Sequence, residues 1–150
     1  MSRVLVIAYG NPLRSDDGLA LRAADELERA SLPDVEIVSA HQLTPELAEQ
    51  LSRVEGVLFV DAAQDGGPGT LCCEPVTPEP GVIRFSHQLT PPQLLSLAET
   101  LYGARPKGFC VSVTGKSFEH GEGLTPEVET RIPELVAKLT ALIQEIRQTG

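Results

Sequence analysis

Residues 3–18 read RVLVIAYGNPLRSDDG, an apolar run rich in β-branched side chains that stops at Gly10-Asn11-Pro12 and gives way to Ser15-Asp16-Asp17-Gly18. A short apolar run without alternation, bounded by turn residues, predicts a strand buried on both faces, as in the middle of a parallel sheet with helices above and below. Gly10 and Asn11 tolerate backbone angles that branched residues do not, so the chain can turn sharply as it leaves the strand. Pro12 disfavours helical geometry in the residue before it and delays the helix. Ser15 or Asp16 is placed to cap that helix, whose apolar positions include Leu19, Ala23, Leu27 and Ala30. Two carboxylates then lie outside the carboxyl end of a central strand, which is where open α/β sheets hold their ligands.

Outward from this stretch the strand and helix signals keep alternating. Val35-Glu36-Ile37-Val38 is a short strand, and Thr44-Pro45 opens a helix toward Leu51. Val57-Leu58-Phe59-Val60 is a third buried strand that ends at Asp61, followed by the turn-rich segment 64–69. Residues 70–76 read as an edge strand, because Pro75 has no N–H to give to a ladder. Residues 82–85 are expected to be extended. Thr90-Pro91-Pro92 starts another helix, which Gly103 and Pro106 end, and Phe109 to Val113 is a further buried strand. A loop through Lys116, Glu119 and His120 reaches Thr125-Pro126, where Thr125 can cap a last helix that bends or restarts near Pro133. The pentapeptide His-Gln-Leu-Thr-Pro occurs at 41–45 and again at 87–91, which shared capping chemistry explains. With no linker-like tract, residues 1–150 are expected to form one domain.

Composition narrows the class of function. The chain has 12 Lys and Arg against 21 Asp and Glu, a net charge of −9, which argues against binding to nucleic acid or to an anionic membrane. No apolar run approaches the roughly 18 residues of a membrane span, and the N-terminal stretch leads straight into a core strand and does not read as a signal peptide. Cys72, Cys73 and Cys110 are too few for a disulfide scaffold, so a reducing, cytoplasmic location is expected.

The chemical candidates are the polar residues at strand exits: Asp17 after the first strand, Asp61 at the end of the third, and His87 ahead of a helix start. Two carboxylates and an imidazole form a donor set for a divalent transition metal, suited to nickel or zinc better than to a hard ion such as calcium, with coordination positions left for water or substrate. Each also has a structural reading: a first-turn carboxylate for Asp17, a junction cap for Asp61, a hydrogen-bonded loop residue for His87. Nucleotide binding lacks its Gly-x-Gly-x-x-Gly or Gly-rich Lys-Ser/Thr signature, and Ser112 and Ser117 lack the Gly-x-Ser-x-Gly context. Cys110 lies in an apolar strand run, and Cys72 and Cys73 alternate in direction, so a cysteine nucleophile has little support.

The blocks Gly10-Asn11-Pro12-Leu13-Arg14-Ser15-Asp16-Asp17-Gly18, Val60-Asp61-Ala62, Ser86-His87-Gln88-Leu89 with Leu94-Leu95, and 121–128 occur in an order that resembles the nickel-dependent hydrogenase maturation endopeptidases. The resemblance implies a three-layer α/β/α sandwich with a mostly parallel twisted sheet. It also implies a cytoplasmic, aspartic-type peptidase that trims the C-terminal extension of the nickel-iron hydrogenase large-subunit precursor once nickel is installed. Asp17, Asp61 and His87 match the family's metal-binding and catalytic positions, with nickel supplied by the precursor; Asn11 and Asp16 match the surrounding loop without an assigned role. The sequence departs from the pattern at Asp17, where some members carry Glu, at Ala20, where Gly is usual, and at Lys116, where an apolar residue is common. Two mechanisms fit: nickel polarising the scissile carbonyl or activating water, or nickel only docking the precursor while a carboxylate acts as general base. A non-catalytic metalloprotein-binding or chaperone module is the alternative from another class, and a small-molecule metallohydrolase is a third.

Overall fold

Val4 to Ala8 are all fully buried, which places the decisive run inside a sheet covered on both faces. A computed structural model describes residues 3–80 and 89–149. In chain order they form β1 (Val4–Tyr9), α1 (Leu19–Arg29), β2 (Val35–Ala40), α2 (Leu47–Leu51), β3 (Gly56–Ala63), β4 (Leu71–Val76), α3 (Pro91–Tyr102), β5 (Lys107–Thr114), α4 (Pro126–Glu129) and α5 (Ile132–Thr149). The sheet has the order β2-β1-β3-β5-β4; all pairs are parallel except β4 with β5. Pro75 sits on β4 at the antiparallel edge, where its missing N–H disturbs only one side of the ladder.

Strand alternation divides the core into two layers. Val4, Val6 and Ala8 join Leu58, Val60, Val111 and Val113 on the face covered by α1 and α5, while Leu5, Ile7, Val57 and Phe59 pack under α2 and α3. Helix α5 contributes Leu135, Leu139, Leu142, Ile143 and Ile146, a stripe at helical spacing; each fully buried side chain of this size contributes about 1.5–3 kcal/mol. The result is an α/β/α sandwich with a mostly parallel sheet, as the sequence pattern predicts.

Local details differ from the sequence reading. β3 does not end at Asp61 but runs on to Ala63, because Asp61, Ala62 and Ala63 keep pairing with Ser112, Val113 and Thr114 after the apolar run has stopped. Residues Ser15–Gly18 form a 3-10 turn ahead of α1, which begins without a side-chain cap. Thr44 does not cap α2, which starts from Glu46, and Thr125 stands at the N-cap position of α4 without a side-chain cap bond. The last helical region is two helices, with Pro133 in the first turn of α5, where its absent N–H has no partner to lose. The segment 82–85 and His87 lie outside the described residues. Among the described residues no helix is long and apolar enough to cross a membrane.

The start of α3 follows its sequence signal closely. Thr90 Oγ1 accepts from the Gln93 N–H at 3.3 Å, Gln93 Oε1 accepts from the Thr90 N–H at 3.0 Å, and prolines occupy the first two helical positions. Thr90→Ala is expected to cost about 1 kcal/mol, read as a lower urea midpoint with an unchanged slope.

Candidate functional site

The direction of connection reverses at β1: the chain goes first to β2 on one side and then to β3 on the other. A crevice between such neighbours, beyond their carboxyl ends, is the usual ligand position of an open α/β sheet. β1 enters this region through Gly10, whose N–H donates to the Ala40 carbonyl at 3.1 Å. Gly10 has φ +152°, and a Cβ there would stand 2.0 Å from the Asp17 carbonyl oxygen, so the turn folds back against its own start. The Asn11 N–H donates to Asp17 Oδ2 at 2.8 Å, and Asn11 Oδ1 accepts from the Leu13 N–H at 2.9 Å. Asp17 is thereby held half-buried over the exit of β1.

Asp61 lies at the matching level of β3, one residue past the pairing of Ala8 with Val60. Alternation puts it on the α3 face with Val57 and Phe59, and on the same side as Tyr9. Its Oδ1 accepts from the Ala62 N–H at 2.7 Å. Burial pushes the Asp61 carboxyl up to about 6; the Asp17 charge pushes the same way, and hydrogen bonds from the Ala62 N–H and the Tyr9 hydroxyl oppose it. The Tyr9 hydroxyl is held firmly protonated, by burial first and then by the charge of Asp61. The two carboxylates therefore repel one another, and among the described residues no Lys, Arg or His forms an ion pair with either.

Asp16, next to Asp17, points elsewhere. It is fully buried, and its carboxylate accepts from the Lys116 N–H (2.7 Å), the Ser117 N–H (3.0 Å), the Thr125 N–H (2.8 Å) and the Thr125 hydroxyl (2.8 Å). Burial alone would raise its pKa, but the donors of Thr125, Lys116 and Ser117 outweigh it and hold the carboxyl below its ordinary value. The same two loops are tied again by Ser15 N–H to the Gly121 carbonyl (2.8 Å), Gly121 N–H to the Leu13 carbonyl (2.8 Å), and Ser15 Oγ to the Glu119 carbonyl (2.8 Å). Lys116 fits this arrangement through its backbone, while its ammonium pairs with Glu127 at 2.5 Å. Ala20 is accommodated within the buried core.

Of the three residues singled out from sequence, Asp17 and Asp61 come together at the exits of adjacent strands, and His87 lies outside the described residues. Among the described residues no three His, Cys, Asp or Glu side chains form a metal-binding group. His120 and His41 are exposed. Burial pushes the Cys110 thiol up to about 11, with Asp61, Glu74 and Cys73 adding to it, which leaves it a poor nucleophile at neutral pH. Sequence reasoning missed Tyr9 and the role of Asp16. Tyr9 had a readable signal, since it continues the odd-numbered face of Leu5 and Ile7; Asp16 had none, because its partners are 100 or more positions away.

Hydrogenase 2 maturation protease of Escherichia coli (strain K12) is 31% identical to this chain over 153 residues, spanning 95% of the chain and 92% of the relative. The hydrogenase maturating endopeptidase HybD from E. coli superposes with a TM-score of 0.77 at 25% identity, over 95% of this chain and 93% of that one. The NiFe hydrogenase maturation protease HybD from Thermococcus kodakarensis shares the fold, with a TM-score of 0.75 at 24% identity over 93% of this chain and 98% of that one. No family model matches the chain.

Proposed function

The chain belongs to the hydrogenase maturation proteases and is an endopeptidase, and from that premise we propose that it removes the C-terminal extension of a nickel-iron hydrogenase large-subunit precursor after nickel has been inserted. Asp17, Asp61 and His87 are the residues proposed to meet the nickel that the precursor brings. The observation that carries this reading is the pair of half-buried carboxylates at adjacent strand exits, mutually repelling and without a cationic partner among the described residues. Such a pair gains stability from an arriving cation, and oxygen donors suit a divalent metal whose remaining ligands come from elsewhere. When present, nickel supplies positive charge and Lewis acidity beside the scissile peptide.

The chain's own groups account for the proton handling. At neutral pH Asp61 is mostly ionised yet unusually basic for a carboxylate, which suits acceptance of a proton from attacking water. The Tyr9 hydroxyl lies beside Asp61 and favours its charged form, and the Asn11 N–H donates to Asp17 and orients it. The high thiol pKa of Cys110 supports water over an acyl-enzyme. The unpaired state of the three cysteines supports a cytoplasmic location.

The test is to mix substoichiometric chain with nickel-loaded and with nickel-free precursor and to measure intact masses. A shortened large subunit is expected only from the nickel-loaded form. Equal cleavage of both forms would reject nickel gating, and a stable complex without shortening would indicate a non-catalytic module.

A further inference from the structure

Asp16 stands where a helix-capping carboxylate belongs, yet α1 has no side-chain cap and every side-chain bond of Asp16 runs to the loop 115–125. Its own N–H adds a further tie, to the Ser117 carbonyl at 3.0 Å. A buried carboxylate is tolerated only while its donors stay in place, so this contact holds the loop and the Ser15–Gly18 turn in a single relative position. Asp17 belongs to that turn, and its link to the Asn11 N–H depends on where the turn sits.

Resting on the precursor-processing reading, we propose that Asp16 is a positioning residue for peptide hydrolysis: by clamping the 115–125 loop to the turn, it fixes the Asp17 carboxylate over the exit of β1. The Thr125 hydroxyl is the separable part of the clamp. Thr125→Val removes it and leaves the Thr125 N–H bond to Asp16 intact; Thr125→Ser restores a hydroxyl.

Steady-state cleavage of nickel-loaded precursor, measured well below the melting transition, reads the effect alongside amide hydrogen exchange. A displacement of about 1 Å at a reacting group costs on the order of 100-fold, so Asp16→Asn is expected to lower kcat by about 100-fold and Thr125→Val by about 10-fold, with KM within about threefold and Thr125→Ser close to wild type. The Asn11 amide should exchange faster in Asp16→Asn and Thr125→Val, which loosening of the 115–125 loop alone would not produce. If Asp16→Asn does not fold, the Thr125 pair decides. A folded Thr125→Val with wild-type kcat and unchanged Asn11 protection overturns the proposal, as does a variant in which only KM rises. A wild-type chain that never cleaves the precursor overturns the proposed function and this inference with it; wild-type cleavage matched by the clamp variants overturns this inference alone.

Discussion

Asp61→Asn is expected to abolish most cleavage and at the same time to raise the melting temperature at pH 7.5. The activity loss follows from removal of the proton acceptor, about 10²–10⁴-fold for a positioned general base. The stability gain follows from the carboxyl being raised to about 6 from an ordinary 3.8, by burial first and by Asp17 in addition. A carboxyl raised in the folded state binds its proton more tightly there than in the unfolded chain. Ionised Asp61 therefore costs nothing below about pH 4, costs progressively more from pH 4 to 6, and carries its full penalty above, on the order of 3 kcal/mol at most. Asparagine keeps the size and an acceptor for the Ala62 N–H without the charge. Thermal melts should show the variant several degrees above wild type at pH 7.5 and the two converging near pH 4. Cleavage should fall in the wild type as kcat/KM is followed downward through about pH 6. A variant that melts lower at pH 7.5 and cleaves at the wild-type rate contradicts both halves.

Gly10→Ala is expected to be as damaging as loss of a core side chain although it adds one methyl group. The new Cβ would meet the Asp17 carbonyl oxygen at 2.0 Å, a backbone atom that cannot rotate away, in a residue with φ +152°. Either β1 or the turn must move, at about 2–4 kcal/mol, and a shift of the turn carries Asp17 with it, costing about 100-fold in kcat. Gly103 is the control: it also has positive φ, at +66°, but nothing lies within 4 Å of its Cβ position. Gly103→Ala should cost only the left-handed backbone penalty, about 1 kcal/mol, with cleavage intact. Urea denaturation and cleavage rates of the two variants check the contrast; equal effects would show that close approach at Gly10 is not limiting.

The architecture was legible in the sequence wherever a strand was buried on both faces. Val4 to Ala8 and Val57 to Val60 lie wholly inside, and an unalternated apolar run has little else to mean. The edge position of β4 could be read from Pro75, and the start of α3 from Thr90-Pro91-Pro92. Legibility failed where the deciding contact is remote in sequence. Asp61 looked like the end of a strand because polarity returns there, yet pairing with β5 carries β3 past it. Asp16 and Thr125 both read as caps, since local chemistry offered nothing else, whereas in the fold they bond to one another across 109 positions. Two strand exits were enough to bring out Asp17 and Asp61, but not the hydroxyl of Tyr9 that attends Asp61.

The strand order also says something about how the protein is made. β5 lies between β3 and β4, and among the described residues β4 has no other strand partner, so the last of the described strands is the one that joins β4 to the rest. Until residue 114 has emerged, β3 keeps an open apolar edge and β4 lacks its pairing with β5, a state that invites misassembly with other nascent chains. Residues 115–125, which bond to Asp16, come later still. A ribosome-bound chain lacking β5 and this loop therefore has neither a closed sheet nor the clamp beside Asp17, and the ability to cut peptides comes only after both have emerged.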